Sequence, residues 1–337
     1  MLHGGEIYGK TIEHDFSVNL NPLPCPESVM KALEEAARRV SEYPDIHQRA
    51  FREAVAASEP GNITAANVIG GNGASELLAA VVRYVDPRTV LLPVPSFSGY
   101  RHALGMLDGC DVRTYMLSEE NDFGLDSSIL AQIDEGTDLL ILANPNNPTG
   151  RCIDDALLAK IVTRCRETRT AVLIDECFLP LSSRGTSLAA RALEIPRLFV
   201  VKAYTKLFSG PGARVGYALA GEEEIEGIRR FLPEWNLSVF AERAGIACAK
   251  ALEGGSFAAE TVKVIEEGRD ELTERLTARG IRVFPSDTNY LLVKSRENLL
   301  DYYLKKHILI RDCANFEGLT QGYYRIAVKS ADENKVI

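Results

Sequence analysis

Lys206 ends an apolar run, "LFVVKAYTK", and Arg214 follows eight positions later, across the loop Ser209-Gly210-Pro211-Gly212. A lysine at the end of a buried strand loses hydration that favours its ammonium form, so its neutral amine can attack a carbonyl and form a Schiff base. Arginine presents a planar fork of donors that matches two oxygens of a phosphate at once. A second apolar run, "VLIDECF", ends in Asp175. A carboxylate there is costly unless a cation or a strong donor meets it. A helix cap just past the strand is the plain reading of that aspartate, and a protonated ring nitrogen is the chemical one.

Two turns carry further signals. "GGNGASE" (70–76) joins an apolar run to a helix-like segment, so the amides of Gly73, Ala74 and Ser75 would open a helix amino terminus, where phosphates bind. Read alone it is equally a tight turn; it is neither a Walker A loop nor GxGxxG. "ANPNNPTG" (143–150) is either a rigid exposed loop or a holder for an asparagine amide at a cofactor oxygen. A lysine for an aldehyde, an arginine and a helix terminus for a phosphate, and an aspartate for a ring nitrogen together describe pyridoxal 5′-phosphate.

The elements that must position these groups follow from hydrophobic patterning. From about residue 68, short runs apolar on every residue ("NVIGG", "TVLLPVPS", "DLLILANP", "AVLIDE", "LFVVKAY", "RVGYALA") alternate with helix-like segments such as "ASELLAAVVRYV" and "DDALLAKIVTRCRET". Strands buried on both faces with intervening helices predict a three-layer α/β sheet, mainly parallel, whose ligands gather at the strands' carboxyl ends. An amphipathic helix is expected earlier, with Val29, Met30, Leu33, Ala37 and Val40 at helical spacing. After residue 220 the pattern changes to long helices near 235–252 and 257–279, the second closed by Gly280. Then come "IRVFPSDTNYLLVKS", a short helix near 297–306, and the strand candidates "ILIRD" and "YYRIAVKS". "SADENKVI" reads as the start of a further helix, and the small domain is expected to be truncated there.

At 337 residues the chain exceeds one ordinary core. A net charge of −9 with no basic stripe argues against nucleic acid as a partner. No apolar run approaches a membrane span, and "MLHGGEIYGKTIEHDF" has no signal-peptide core. The seven dispersed cysteines form no CxxC pair or Cys/His cluster, which reads as reduced thiols in a cytoplasmic enzyme without a metal.

Thr205-Lys206 through Gly212-x-Arg214-x-Gly216-Tyr217, with "NPNNPTG", "DECF" and "GNGASE", resembles the fold-type I pyridoxal-phosphate enzymes of the aminotransferase superfamily over most of the chain. The resemblance implies a large three-layer α/β/α domain at 41–235, a smaller α+β domain at 236–337, and an amino-terminal segment, 1–40, belonging to the small domain and the active-site lid. It makes Lys206 the Schiff-base lysine and sets Asp175 on the pyridine nitrogen. Arg214 and the Gly73–Ser75 turn take the phosphate, Asn147 the ring 3′-oxygen, and Phe97 of "VPSFSGY" a ring face. Tyr43 of "SEYPD" would reach the cofactor phosphate of a neighbouring subunit, which implies a homodimer. Arg325 of "YYRIAV" would bind the substrate α-carboxylate.

Within the superfamily the chain is similar to two families, L-threonine-O-3-phosphate decarboxylase of cobalamin biosynthesis and histidinol-phosphate aminotransferase. "HGG" (3–5), "DFSVNLNPL" (15–23), "ILIRDCANFEGL" (308–319) and Phe178, where the aminotransferase carries tyrosine, favour the decarboxylase. That resemblance implies a phosphorylated amino acid as substrate, phosphothreonine or phosphoserine, with Arg311, His3 and Asn19 available for its second anion. For Arg311 the plainer reading is a surface ion pair with Asp312 or Glu317; for His3, a disordered terminus. Asn19 shares a face of its extended segment with Ser17 and Asn21. A transaminase of histidinol phosphate is the alternative, and a non-catalytic aminotransferase-like regulator is a third. Three positions depart from the family pattern. Ala203 replaces a phosphate-binding hydroxyl, worth about 1–3 kcal/mol with a charged acceptor. Cys177 stands beside Asp175 in place of alanine and is expected to be structural, and Ser238 stands where the decarboxylase has asparagine.

Overall fold

The computed structural model describes residues 4–337. After β1 (His14–Asp15), α1 (Glu27–Ala37) and α2 (Arg49–Ser58), the chain enters a regular alternation. Its first half runs β2 (Val68–Gly71), α3 (Ala74–Val85), β3 (Thr89–Val94), α4 (Ser98–Leu104), β4 (Asp111–Met116) and β5 (Leu139–Ala143). Its second half runs α5 (Asp155–Thr168), β6 (Ala171–Asp175), β7 (Leu198–Ala203), α6 (Tyr204–Leu207), β8 (Gly216–Leu219) and α7 (Glu222–Arg229). One seven-stranded sheet results, ordered β2-β8-β7-β6-β5-β3-β4. β4, β3, β5, β6 and β7 are parallel, and β8 is antiparallel to both neighbours.

The apolar runs are explained by what covers them. Along β5 to β7, Leu140, Val172 and Val200 join a core with Phe51 of α2 and Leu158 of α5. Their sequence neighbours Ile141, Leu173 and Val201 join a second core with Leu77 of α3 and Ile225 of α7. Side chains alternate across the strands into two apolar layers, so no strand position can be polar without a partner. The expected three-layer α/β/α architecture is what this chain adopts.

Three expectations shift. β4, the edge strand, carries Asp111, Arg113 and Thr114 and was not legible as a strand, because an edge need be apolar on neither face. The helix expected from 235 begins at Val239 as α8 (Val239–Leu252), where Ser238 Oγ accepts from Ala241 N at 3.1 Å and caps it. On α1 the covered positions are Val29 and Ala36, whereas Met30 is 45% exposed and Val40, beyond the helix, 69%. α8 packs on α1 and α2, and its Ala241 and Ala244 join the core that holds Phe51.

α9 (Ser256–Ala278) ends at Gly280, whose φ of +73° lets Ile281 N return to Leu276 O at 3.1 Å. A four-stranded antiparallel sheet follows, built from β9 (Arg282–Val283), β10 (Tyr290–Lys294) and, after α10 (Leu299–Leu304) and β11 (Ile308–Leu309), β12 (Arg311–Asp312) and β13 (Tyr323–Ala327). Its order is β12-β13-β10-β9, and α11 (Ala331–Asn334) closes the described chain. The segment after β1 binds both parts of the molecule. β1 pairs with β11, Phe16 N donates to Leu309 O at 2.7 Å, and Asn21 N donates to the carbonyl of Lys206 at 3.0 Å.

Candidate active site

The carboxyl ends of β5, β6 and β7, the amino terminus of α3 and the edge of the small sheet converge on a cavity of about 220 Å3. Lys206 lines it from α6, the short turn that follows β7 directly. Among the described residues nothing bonds its Nζ. Burial, then the charges of Arg325 and Arg214, push its pKa down to about 8. An amine so placed is partly neutral near physiological pH, the condition for attack on a carbonyl.

Asp175 closes β6 with both oxygens engaged. Oδ1 accepts from Cys177 N at 2.9 Å and Oδ2 from the Tyr100 hydroxyl at 2.9 Å. Tyr100 was missed in the sequence; the available signal was its place three residues after Phe97, on one helical face. Phe97 stands at the amino-terminal cap of α4 and lines the cavity, its ring edge-on to Tyr100 with centroids 5.7 Å apart. Cys177 is buried, and burial, then Asp175, push its thiol pKa well up, which suits the structural role expected.

At another side of the cavity Gly73 takes φ +79° at the amino-terminal cap of α3. A Cβ there would come 2.4 Å from Arg214 Nη2, so only glycine lets the guanidinium lie against this turn. Arg214 donates to the carbonyls of Pro211 (3.2 Å) and Asn72 (3.4 Å), which aims it across the helix amino terminus that Ala74 and Ser75 open. Ala203 does not line the cavity, but Thr205 and Ser75 do, and their hydroxyls are the ones at hand.

The substrate-side expectations meet on the small sheet. Arg311 and Arg325 are register partners across β12 and β13, both are buried, and both line the cavity. Arg325 donates to Asn147 Oδ1 at 2.5 Å and to Ser17 O at 2.8 Å, while its Nε is buried and finds no partner among the described residues. Burial lowers the pKa of both guanidinium groups. Arg311 is no surface residue: it donates to the main-chain carbonyl of Asp312 (2.7 Å) and to Asn315 Oδ1 (2.8 Å), and Glu317 pairs with Arg101 instead. Asn19 lines the cavity with Oδ1 buried and, among the described residues, unpartnered. Ser17 lines it too, but Asn21 points away, its amide bonded to Leu207 O and Thr261 Oγ1. Phe178 lines the cavity and packs edge-on against Tyr290.

Two named residues stand apart. Tyr43 is 83% exposed, stacked obliquely with Trp235, and does not line this chain's cavity. His3 lies outside the described residues. A third, Lys202, has a partner that the sequence did not suggest: its Nζ meets Glu59 Oε2 at 2.7 Å and Glu176 Oε2 at 3.6 Å behind the site. Burial opposes its charge, but Glu59 and Glu176 outweigh burial and raise its pKa. Among the described residues no group of His, Cys, Asp and Glu is placed to hold a metal ion. No described helix is long and apolar enough to cross a membrane.

The residues fit pyridoxal 5′-phosphate on observed features: a cradle that a Cβ at Gly73 would fill, an unbonded amine at Lys206, and a carboxylate fixed by two donors. Comparison with known proteins gives the family. The family described as Aminotransferase class I and II matches residues 11–337. Threonine-phosphate decarboxylase of Salmonella typhimurium is 31% identical over 95% of this chain and 88% of its own. The adenosylcobalamin biosynthesis bifunctional protein CobDQ of Leptospira interrogans is 29% identical over 96% of this chain and 38% of its own length. The crystal structure of histidinol-phosphate aminotransferase from Clostridium acetobutylicum superposes with a TM-score of 0.85, at 28% identity and 96% coverage of each chain. The chain belongs to the aminotransferase class I and II family.

Proposed function

We propose that this member of the aminotransferase class I and II family is a pyridoxal-phosphate-dependent decarboxylase of a phosphorylated L-amino acid. Its substrate in this reading is L-threonine O-3-phosphate, its product is aminopropanol phosphate, and its context is cobalamin biosynthesis. The observation that carries the reading is the cross-strand pair Arg311 and Arg325, two buried guanidinium groups lining one cavity. Like charges directly opposite in a ladder repel, so the pair suits a ligand that brings two anions. A phosphorylated amino acid has two, a carboxylate and a phosphate.

When bound, the cofactor supplies an aldehyde that takes up an amine and a ring that draws off the electron pair of a broken Cα bond. Arg214, the first amides of α3 and the hydroxyls of Ser75 and Thr205 hold its phosphate. Asp175 accepts from its ring nitrogen, Asn147 serves its 3′-oxygen, and Phe97 covers one ring face. Lys206 would attach the aldehyde, and its amine is placed to hold a proton for the substrate Cα. Arg325 holds the carboxylate, and Arg311 with Asn19 holds the distal phosphate and so fixes which Cα bond stands across the ring. The reading includes a homodimer, in which the exposed Tyr43 of each copy reaches the phosphate end of the other's cavity.

The structural likeness to a histidinol-phosphate aminotransferase keeps transamination as the second reading. Incubating the reconstituted protein with L-threonine O-3-phosphate separates them. Continuous release of CO2 and aminopropanol phosphate is expected. Stoichiometric conversion of the cofactor to pyridoxamine 5′-phosphate without CO2 would sink the decarboxylase.

A further inference from the structure

We propose that Tyr100 is a positioning residue for this reaction: its buried hydroxyl fixes the second oxygen of Asp175 and keeps that carboxylate aimed at the ring nitrogen. The inference rests on the cofactor reading above for its consequence, but not for its geometry.

Asp175 ends β6, a strand paired on both sides by β5 and β7, so its backbone is fixed by the sheet. Its side chain is not fixed by the sheet. The Cys177 amide holds Oδ1, a local contact two residues on, and the Tyr100 hydroxyl holds Oδ2 from a different element. No described cation forms an ion pair with Asp175; the Cys177 thiol also bonds it from two residues on, and the Tyr100 hydroxyl is the side-chain donor that reaches it from another element. A carboxylate has about four lone-pair sites. Two are taken by Cys177 N and the Tyr100 hydroxyl, which leaves the remaining ones to a donor bound in the cavity.

Packing alone does not require the hydroxyl. Tyr100 is 2% exposed, and its ring lies edge-on to Phe97 in an arrangement that phenylalanine would keep. Burying a hydroxyl costs free energy unless it is bonded, and here the bond goes to the carboxylate. Burial, then the charge of Asp175, pushes the phenol pKa well up, so the group stays a donor throughout the physiological range. Donors on a carboxylate favour its ionised form. Without the hydroxyl, Oδ2 loses the donor that fixes it, and the carboxylate can turn away from the ring nitrogen it should face. The same side chain also buttresses Phe97, so one residue sets the carboxylate and steadies a wall of the cavity.

The test is Tyr100→Phe in the holoenzyme and in the apoprotein. We expect kcat to fall roughly tenfold to a hundredfold, the range for a lost hydrogen bond to a charged group, with KM for the amino acid little changed. In the apoprotein, crystal structures should show the Asp175 carboxylate in one rotamer in the wild type and turned or in more than one rotamer in the variant, a readout that needs no cofactor. A double-mutant cycle on cofactor Kd with Asp175→Asn guards against a general loss of packing: once the aspartate is gone, Tyr100→Phe should cost almost nothing further. An Asp175 rotamer unchanged in the variant, or effects that simply add, overturns the proposal. Failure to bind pyridoxal 5′-phosphate at all would overturn the functional reading while the apoprotein structures still report on Tyr100.

Discussion

Arg325 and Asn147 lie 178 residues apart in the chain, yet Nη1 of one donates to Oδ1 of the other at 2.5 Å. The bond joins the small sheet to the loop after β5. It commits the amide oxygen of Asn147 to the arginine, and no described bond occupies the amide nitrogen. It also holds a cation close enough to Lys206 to depress its pKa.

That neighbour sets a pH dependence. Burial, Arg325 and Arg214 all disfavour the Lys206 ammonium, which loses its proton near pH 8 rather than in the usual lysine range. Only the neutral amine attaches a cofactor aldehyde. Attachment of pyridoxal 5′-phosphate to the apoprotein should therefore accelerate as pH rises through about 8 and level off above it. In Arg325→Gln one opposing cation is gone, the ammonium persists to higher pH, and the inflection should move up. Stopped-flow absorbance across the pH range reads both, and an unmoved inflection in the variant contradicts the coupling.

Gly73→Ala should damage cofactor binding more than folding. The substitution forces a side chain into a backbone region that costs about 1–3 kcal/mol for other residues. Its Cβ also meets Arg214 Nη2 at 2.4 Å. A modest fall in Tm with a large rise in cofactor Kd is expected. A variant that binds the cofactor as tightly as wild type would show that Arg214 does not need this turn.

Thr205 should substitute for the hydroxyl absent at Ala203. Thr205→Val is expected to weaken cofactor binding by about 1.5–3 kcal/mol, the range for a hydrogen bond to a charged group, and Thr205→Ser to restore most of it. Equilibrium titration by cofactor fluorescence distinguishes them. Equal losses in both variants would assign the effect to shape rather than to the hydroxyl.

Tyr43 permits a mixing experiment. Tyr43→Ala and Lys206→Ala homodimers should each be nearly inactive. Mixed subunits should regain activity, because the Lys206→Ala copy supplies its tyrosine to the site that retains its lysine. No recovery on mixing, with hybrid dimers verified by mass spectrometry, would remove Tyr43 from the partner's site.

The sequence discloses this architecture wherever burial is two-sided. β6 and β7 are apolar on nearly every residue because each face meets a helix layer, and their ends announce Asp175 and Lys206. β4 escapes notice because an edge strand tolerates Asp111 and Arg113. Within the cavity, residues are legible when their chemistry is unusual for their place, as with a lysine or aspartate closing an apolar run. Tyr100 and Thr205 are ordinary residues in ordinary places, and only the fold brings them to the site. Lys202 lies between: a charge in a buried strand signals a partner, but Glu59 is 143 residues away and could not be named in advance.

The thread of chain from β1 to Asn21 has a consequence for the order of synthesis. Residues 68–219 can pair their strands among themselves as they emerge, since domains form as units during translation. The carboxylate side of the cavity cannot. Ser17 is made near the start, yet the arginine it holds is residue 325, 308 positions later. Until then the early segment must wait without its partner, and contacts this distant close late because loop entropy must be met first. A nascent chain stalled before β13 could thus form the phosphate cradle at Gly73 and Arg214 while still lacking any means to select a substrate.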